Sequence, residues 1–382
     1  PVENKKDNTP KDNWFKLEKA FEKAHTQFYS DIPGNKRKIV FSGHITEFDK
    51  GTCSYLNDLQ KELDNTEILL ISHATNQKYI KTNRLMNCKY FKIPFTFSLN
   101  RYQKGINVEI PEHVKKIIEE KDYLALTEER IRLRHKDMGE GYPAALTYFL
   151  YDYYCKFIEY YQPDAVILWC EFYCGHNMLK NICEEYGIKV LYMEFGALPG
   201  TFAIEENGQM GESSVAVDWK KFKELPVNQE EILSAKEVLK YLKETGLNRR
   251  VQVKTNVLDE FRKKYIPGRP VVVMFGQNDY EAGIKPYTEQ SREYHSPFFK
   301  GSDDAALFVE KLAIKNNWNY IYKPHQMMVR VGECLENSFS DKTMWVGDSD
   351  INELIDIADV VITIVSQCGY VSLIREKPTV ML

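Results

Sequence analysis

No apolar run in this chain approaches the ~20 residues that a membrane-spanning helix requires, so none of its segments reads as a spanning helix. An excess of one charge is lacking too. Lys and Arg number 51 against 55 Asp and Glu, a formal net charge of −4, which argues against nucleic acid as a partner. The eight cysteines are scattered and form no Cys-x-x-Cys pair. The one cluster, Cys170, Cys174 and Cys183, falls at strand and helix positions typical of buried thiols, so reduced cysteines in a cytosolic setting are expected rather than a zinc site. No signal peptide is read at the start, where PVENKKDNTPKDN is polar. No sequence repeat is found.

What is present is ordinary for a globular protein: 43% apolar and 28% charged residues over 382 positions, a length that favours two domains. The 24 Tyr and 20 Phe suit core packing and also stacking on sugars or bases.

The stretch from Tyr320 to Leu382 carries the most information. It reads as strand NYIYKPH, strand TMWVGD, helix INELIDIA, strand DVVITIVS, the turn SQCG, helix YVSLIRE and strand PTVML. Apolar strands alternate with short helices, and polar groups fall at strand ends. An open parallel α/β sheet gathers ligands beyond the carboxyl ends of its strands, and N–H groups at a helix start attract anions.

The earlier part of the chain repeats the pattern. An amphipathic helix is predicted over Trp14 to Tyr29, then strands RKIVFSG, NTEILLISH, DAVILWCEF and KVLYMEFG, with helices SYLNDLQKEL and HNMLKNICEEYG between them. A helical segment spans 228–265 with a break near Gly246, and IPGRP at 266–270 reads as a domain boundary. The expected organisation is a tail and amphipathic helix over 1–35, a Rossmann-like domain with a helical connector over 36–265, and a second Rossmann-like domain over 268–382. The fold class is then α/β, GT-B-like, with two parallel-sheet domains expected to face each other across a cleft. The last domain stops where such domains usually continue into closing helices, so the natural protein is expected to run beyond residue 382.

Several strand ends bear chemistry. FGQND follows the apolar strand VVVM: Gly276 allows close backbone approach to a ligand, and Gln277 and Asn278 offer donors and acceptors, although the same residues build ordinary turns. Lys323 and His325 of KPH can donate to a phosphate. Ser366 or Gln367 can cap a helix beginning near Gly369, and the amides of Cys368 and Gly369 can hold a phosphate. Asp348 and Asp350 resemble a metal-binding Asp-x-Asp, but Asp350 with Glu353 three residues later fits a capping box better; Glu353 can also reach a ribose hydroxyl. On the acceptor side, Glu194 closes KVLYM and can serve as general base once partial burial raises its pKa, with Glu171 as the rival base. Gly196 and Thr201 shape the loop after Glu194, and Ser42, Gly43 and His44 end the first strand as weaker acceptor contacts.

With those segments in hand, the chain resembles the bacterial surface-polysaccharide transferases, the capsule-biosynthesis group of GT-B fold that includes the β-Kdo transferases. The likeness is carried by EFGALPGT with ENGQMGESS, by FGQND, by YKPHQ, and by INELIDIADVVITIVSQCGYVSLIREKPTVML, within residues 190–382. The resemblance implies a metal-independent enzyme without a cofactor, cytoplasmic, working at the inner face of the membrane on a nucleotide-sugar donor and a glycan or lipid-linked acceptor. Glu194 matches the acidic residue opening the family's Glu-Asp-Gly motif, where Phe195 replaces the middle residue. Lys323 and His325 match a Lys-Pro-His-Pro segment, with Gln326 for the second proline. Ser366 and Gly369 match a Ser-Thr-x-Gly turn, with Gln367 for threonine, and Val371 stands where an acidic residue is usual. The activity implied is sugar transfer from a nucleotide donor with a carboxylate base. A polyol-phosphate transferase of the teichoic-acid type, a non-catalytic assembly subunit and a nucleotide-sugar epimerase stay open.

Overall fold

The computed structural model describes residues 36–42, 50–73, 89–93, 112–121, 141–172, 174–248, 253–287, 289–330 and 332–382. The helix expected over Trp14 to Tyr29 lies outside them. The described chain divides into two compact units, the first holding residues up to Glu194 with Ile204–Gln209, the second holding Phe195–Ala203 and Met210–Leu382.

In the first unit the described elements are β1 (Arg37–Ser42), α1 (Lys50–Glu62), β2 (Thr66–His73), β3 (Lys89–Ile93), α2 (Glu112–Glu120), α3 (Gly141–Tyr161), β4 (Ala165–Trp169), α4 (Cys174–Glu185), β5 (Lys189–Phe195) and β6 (Phe202–Glu205). The strand order is β3-β2-β1-β4-β5-β6, with β1 to β5 parallel to one another. This is the doubly wound order, in which the chain leaves β1 in one direction and resumes at β4 on its other side. Strands buried on both faces read as continuous apolar runs, which is why ILLI and VILW were legible. The core packs Val40, Leu69 and Leu168 with α3 and α4. Along α3, Tyr153, Phe157 and Tyr161 recur every four residues on one face, with ring centroids 6.5 and 4.9 Å apart. Two strands were not foreseen: β3, and β6, which folds back beside β5 through a turn closed by Gly196 N–H to Thr201 O at 2.8 Å.

The second unit continues with α5 (Ser214–Val217), α6 (Trp219–Lys223), α7 (Gln229–Thr245), α8 (Val257–Lys264), β7 (Val271–Phe275), α9 (Glu289–Tyr294), α10 (Ser302–Asn316), β8 (Asn319–Lys323), α11 (Gln326–Arg330), β9 (Thr343–Trp345), α12 (Ile351–Ile357), β10 (Val360–Thr363), α13 (Cys368–Ile374) and β11 (Thr379–Met381). Its sheet is wholly parallel in the order β11-β10-β7-β8-β9. All five residues of β7 are buried, because alternate side chains face opposite layers. Val272 and Met274 pack with Ala306 and Val309 of α10, whereas Val271, Val273 and Phe275 pack with α8 and α12.

The break predicted near Gly246 is the C-cap of α7, at φ 62°. The segment 210–265, read from sequence as part of the first domain, packs with the second unit instead. Val257 and Phe261 of α8 share a core with β7, and Asn352 Nδ2 of α12 donates to Gly246 O at 3.1 Å. The Pro-Gly-Arg-Pro stop is thus a connection within that unit.

Candidate active site

The order of each sheet reverses at its first strand, so each has a switch point at its carboxyl edge: between β7 and β10 in the second unit, and between β1 and β4 in the first.

In the second unit Gln277 sits on that switch point. Its Oε1 accepts from Val365 N–H, beyond β10, at 2.6 Å, and its own N–H donates to Ser302 Oγ at 3.1 Å. Gln277 is 5% exposed, and its Nε2 is buried with no hydrogen-bond partner among the described residues. Such a donor is costly unless something accepts from it. Asn278 lies beside it, half-buried, and its carbonyl accepts from Ala282 N–H at 2.9 Å. Gly276 is demanded by the protein itself. A Cβ there would lie 2.8 Å from Tyr322 Oη and 3.2 Å from Pro324 Cα, so the close approach read as ligand contact is an approach to the end of β8.

Lys323 and His325 end β8 on the same edge. Lys323 Nζ donates to Gly347 O at 2.9 Å, and burial lowers its pKa below 10.5. His325 Nδ1 accepts from Met327 N–H at 3.2 Å, which fixes the neutral tautomer with the proton on Nε2 and makes that nitrogen a donor. At the β10–α13 turn, Ser366 Oγ accepts from Cys368 N–H at 3.3 Å and Ser366 O from Gly369 N–H at 2.9 Å. The amides of Cys368 and Gly369 are therefore already engaged inside the turn, and Ser366 is the capping side chain. Gln367 Nε2 donates to Ala197 O at 3.1 Å. Asp350 caps α12 by accepting from Asn352 N–H at 2.8 Å, but Glu353 completes no box: its Oε2 is buried without a partner among the described residues. A ribose hydroxyl is one group able to satisfy it.

Asp279, fully buried, receives Ser302 N–H at 2.8 Å and Ser302 Oγ–H at 2.6 Å, anchoring the start of α10; burial pushes its pKa up to about 6. Asp279, Asp303 and Glu333 bring carboxylate oxygens within 4.8 Å of one another. The Lys285 ammonium lies among them, 4.0 Å from Asp279 and 3.6 Å from Asp303 and bonded to Glu333, so a cation of the protein's own already answers that charge.

In the first unit Glu171 and Glu194 end β4 and β5. Glu171 is 1% exposed; its Oε2 accepts from Lys180 Nζ at 2.8 Å and its Oε1 from Gln209 N–H. A carboxylate so enclosed is a poor base, and the rival role read for it from sequence is not supported by this geometry. Glu194 is half-buried and accepts from Gln209 Nε2 at 3.1 Å. Ser42 is 1% exposed at the end of β1, while Gly43 and His44 lie outside the described residues. Gly196 and Thr201 answer each other rather than open space: a Cβ on Gly196 would stand 2.1 Å from Thr201 Oγ1, which itself donates to Leu198 O at 2.7 Å. Phe195 stacks on Phe202 across this turn at 5.9 Å, which gives its side chain a structural partner. Gln209, Lys180 and Ser302 were missed. Each matters through a partner distant in sequence, and no local pattern marks them.

The architecture is an α/β fold, two Rossmann-like units in one chain. No family model matches the sequence, and no curated protein matches it. Among solved structures, the KpsC β-Kdo 2,4 transferase of Thermosulfurimonas dismutans is similar over 58% of this chain and 70% of its own, at 16% identity and a TM-score of 0.43. The UDP-GlcNAc 2-epimerase of Neisseria meningitidis bound to UDP-GlcNAc covers 91% of this chain and 82% of its own, at 10% identity and a TM-score of 0.32. The SsfS6 glycosyltransferase of Streptomyces sp. SF2575 covers 91% and 81%, at 10% identity and a TM-score of 0.28. Among the described residues no helix is long and apolar enough to cross a membrane.

Proposed function

We propose that this chain is a glycosyltransferase that moves a sugar from a nucleotide-activated donor to a growing surface polysaccharide or its lipid-linked primer. One observation supports this above the rest. The switch point of the second sheet holds a buried Gln277 Nε2 without a partner among the described residues, on the same edge as the Lys323 ammonium and the His325 imidazole.

In this reading the donor's phosphate is held by His325 Nε2–H, Lys323 and Gln277 at the second unit, near the turn Ser366–Gly369, with Glu353 toward the ribose. Lys323 and His325 meet the charge on the departing phosphate, so no metal is assigned a part. On the first unit Glu194 takes the proton from the attacking hydroxyl of the acceptor. Fixed donors to the leaving group need no reorganisation as charge develops, and removing one such donor typically costs ~10²–10³ in turnover. The setting proposed is the cytoplasm, with peripheral contact at the inner face of the membrane.

A thermal-shift screen against CMP, CDP, UDP, GDP and their sugars tests the reading. A ligand bound by the folded form alone stabilises it by ~2.7 kcal/mol at a hundred times its dissociation constant. One nucleotide is expected to raise the melting temperature, and His325→Ala to lose that rise. Glu194→Gln is expected to keep donor binding while transfer collapses. No shift with any nucleotide would count against a transferase and for an assembly subunit.

A further inference from the structure

The geometry points to Gln209 as a positioning residue that orients Glu194 and holds it ionised, as the middle link of the chain Lys180–Glu171–Gln209–Glu194. This rests on the reading of Glu194 as the base.

Gln209 is 4% exposed, and three polar positions of its side-chain amide are used. Oε1 accepts from Glu171 N–H at 2.7 Å. Nε2 donates to Met193 O at 3.0 Å and to Glu194 Oε2 at 3.1 Å. Because Oε1 faces an N–H and Nε2 faces two oxygens, only this orientation of the amide satisfies all three. The backbone adds a fourth bond, Gln209 N–H to Glu171 Oε1, and Lys180 Nζ secures the other oxygen of Glu171 at 2.8 Å. Lys180 is itself held over the Tyr192 ring at 5.2 Å. Glu171 therefore acts through Gln209: its carboxylate, paired with Lys180, holds the Gln209 main-chain N–H, and its own N–H holds the side-chain amide that reaches Glu194.

A donor aimed at a carboxylate favours the charged form and lowers its pKa. Among the described residues the titratable and charged groups of the neighbouring elements include Cys170, Glu171, His176, Lys180, Cys183, Glu184 and Glu185 on the β4–α4 side, and Lys189, Tyr192, Glu205 and Glu206 on the β5–β6 side. Lys189 pairs with Glu206 at 2.7 Å, and His176 Nδ1 is bonded to Cys170 O at 2.9 Å. A base must be both ionised and held in one rotamer, and a buried, fully bonded amide supplies both conditions.

Carbon-13 labelling of the glutamate carboxyls in the full chain reads this directly, with Glu194→Gln identifying the signal of Glu194. Gln209→Met keeps the side chain's length and deletes the donor. It is expected to raise the Glu194 titration midpoint by about one pH unit, a tenfold change in the proton equilibrium. Gln209→Glu sets a second carboxylate against Glu194 and is expected to raise the midpoint further. An unchanged midpoint in both folded variants overturns the proposal.

Removing the Gln209 side chain also leaves the buried Glu171 N–H without its acceptor and can unfold the chain, so a wild-type measurement accompanies the variants. One glutamine side-chain amide, labelled with nitrogen-15, is expected to shift with the Glu194 midpoint and to lose that step in Glu194→Gln. Absence of any such signal overturns the proposal equally. Neither readout needs sugar transfer. If no nucleotide binds while the midpoint moves, the transferase reading falls and the positioning of Glu194 stands. Where transfer is measurable, Gln209→Met is expected to displace the acid limb of the kcat profile to higher pH and leave the donor KM unchanged.

Discussion

Gly276→Ala is expected to force apart the ends of β7 and β8, and the structure sets the size of the effect. The added carbon would lie 2.8 Å from Tyr322 Oη, 3.2 Å from Pro324 Cα and 3.4 Å from His325 N. The first contact cannot be tolerated, and the second is with backbone, which is fixed by Gly276 N–H to Lys323 O at 2.9 Å. Inserting one carbon into such a packed place costs about 1–3 kcal/mol. Tyr322→Phe removes the closest atom but leaves Pro324, so the double variant Gly276→Ala/Tyr322→Phe is expected to recover part of the loss, not all. In a double-mutant cycle the coupling should reach about 1 kcal/mol or more, since the two sites touch. Urea unfolding followed by tryptophan emission measures each corner. The same displacement moves Lys323 and His325, so any nucleotide-induced rise in melting temperature should shrink in Gly276→Ala and return in part with Tyr322→Phe. Strict additivity of the two substitutions would refute the reasoning, because it would mean that the Tyr322 hydroxyl does not limit the space beside residue 276.

Two further outcomes follow from the same edge. Burial lowers the Lys323 pKa below 10.5, so in the window just beneath that value the unfolded chain binds more protons than the folded one. Stability contributed by this group therefore rises with pH there, and Lys323→Met is expected to flatten that rise in urea midpoints measured from neutral pH upward; an unaltered slope would contradict it. Ser302→Ala deletes the 2.6 Å bond to buried Asp279 and leaves Gln277 N–H without its acceptor, a loss of about 2–3 kcal/mol that should lower the urea midpoint without changing m.

The carboxyl-edge residues were legible in the sequence because each follows an apolar run at a place where a parallel strand must end. Gln277, Lys323, His325 and Ser366 all fall there. Their jobs were less legible. Gly276 is a glycine because Tyr322 and Pro324 are close, Gly196 because Thr201 is, and Phe195 has Phe202 to stack on. Glu171 and Glu194 looked equivalent as strand-end carboxylates, and only the enclosure of Glu171 by Lys180 and Gln209 separates them.

By itself the sequence determined the alternation of buried strands and helices, and with it the polar residues at the strand ends, because strand burial and helix spacing are local properties of a few consecutive residues. Tertiary structure decided what those residues bond to. The link from Glu171 to Gln209 spans 38 positions, from Gln277 to Ser302 25, and from Gln277 to Val365 88. The membership of 210–265 in the second unit was decided there too, by Phe261 packing on β7 and Asn352 holding the end of α7. Contacts of that range depend on how the sheets wind, which no window of neighbouring residues contains.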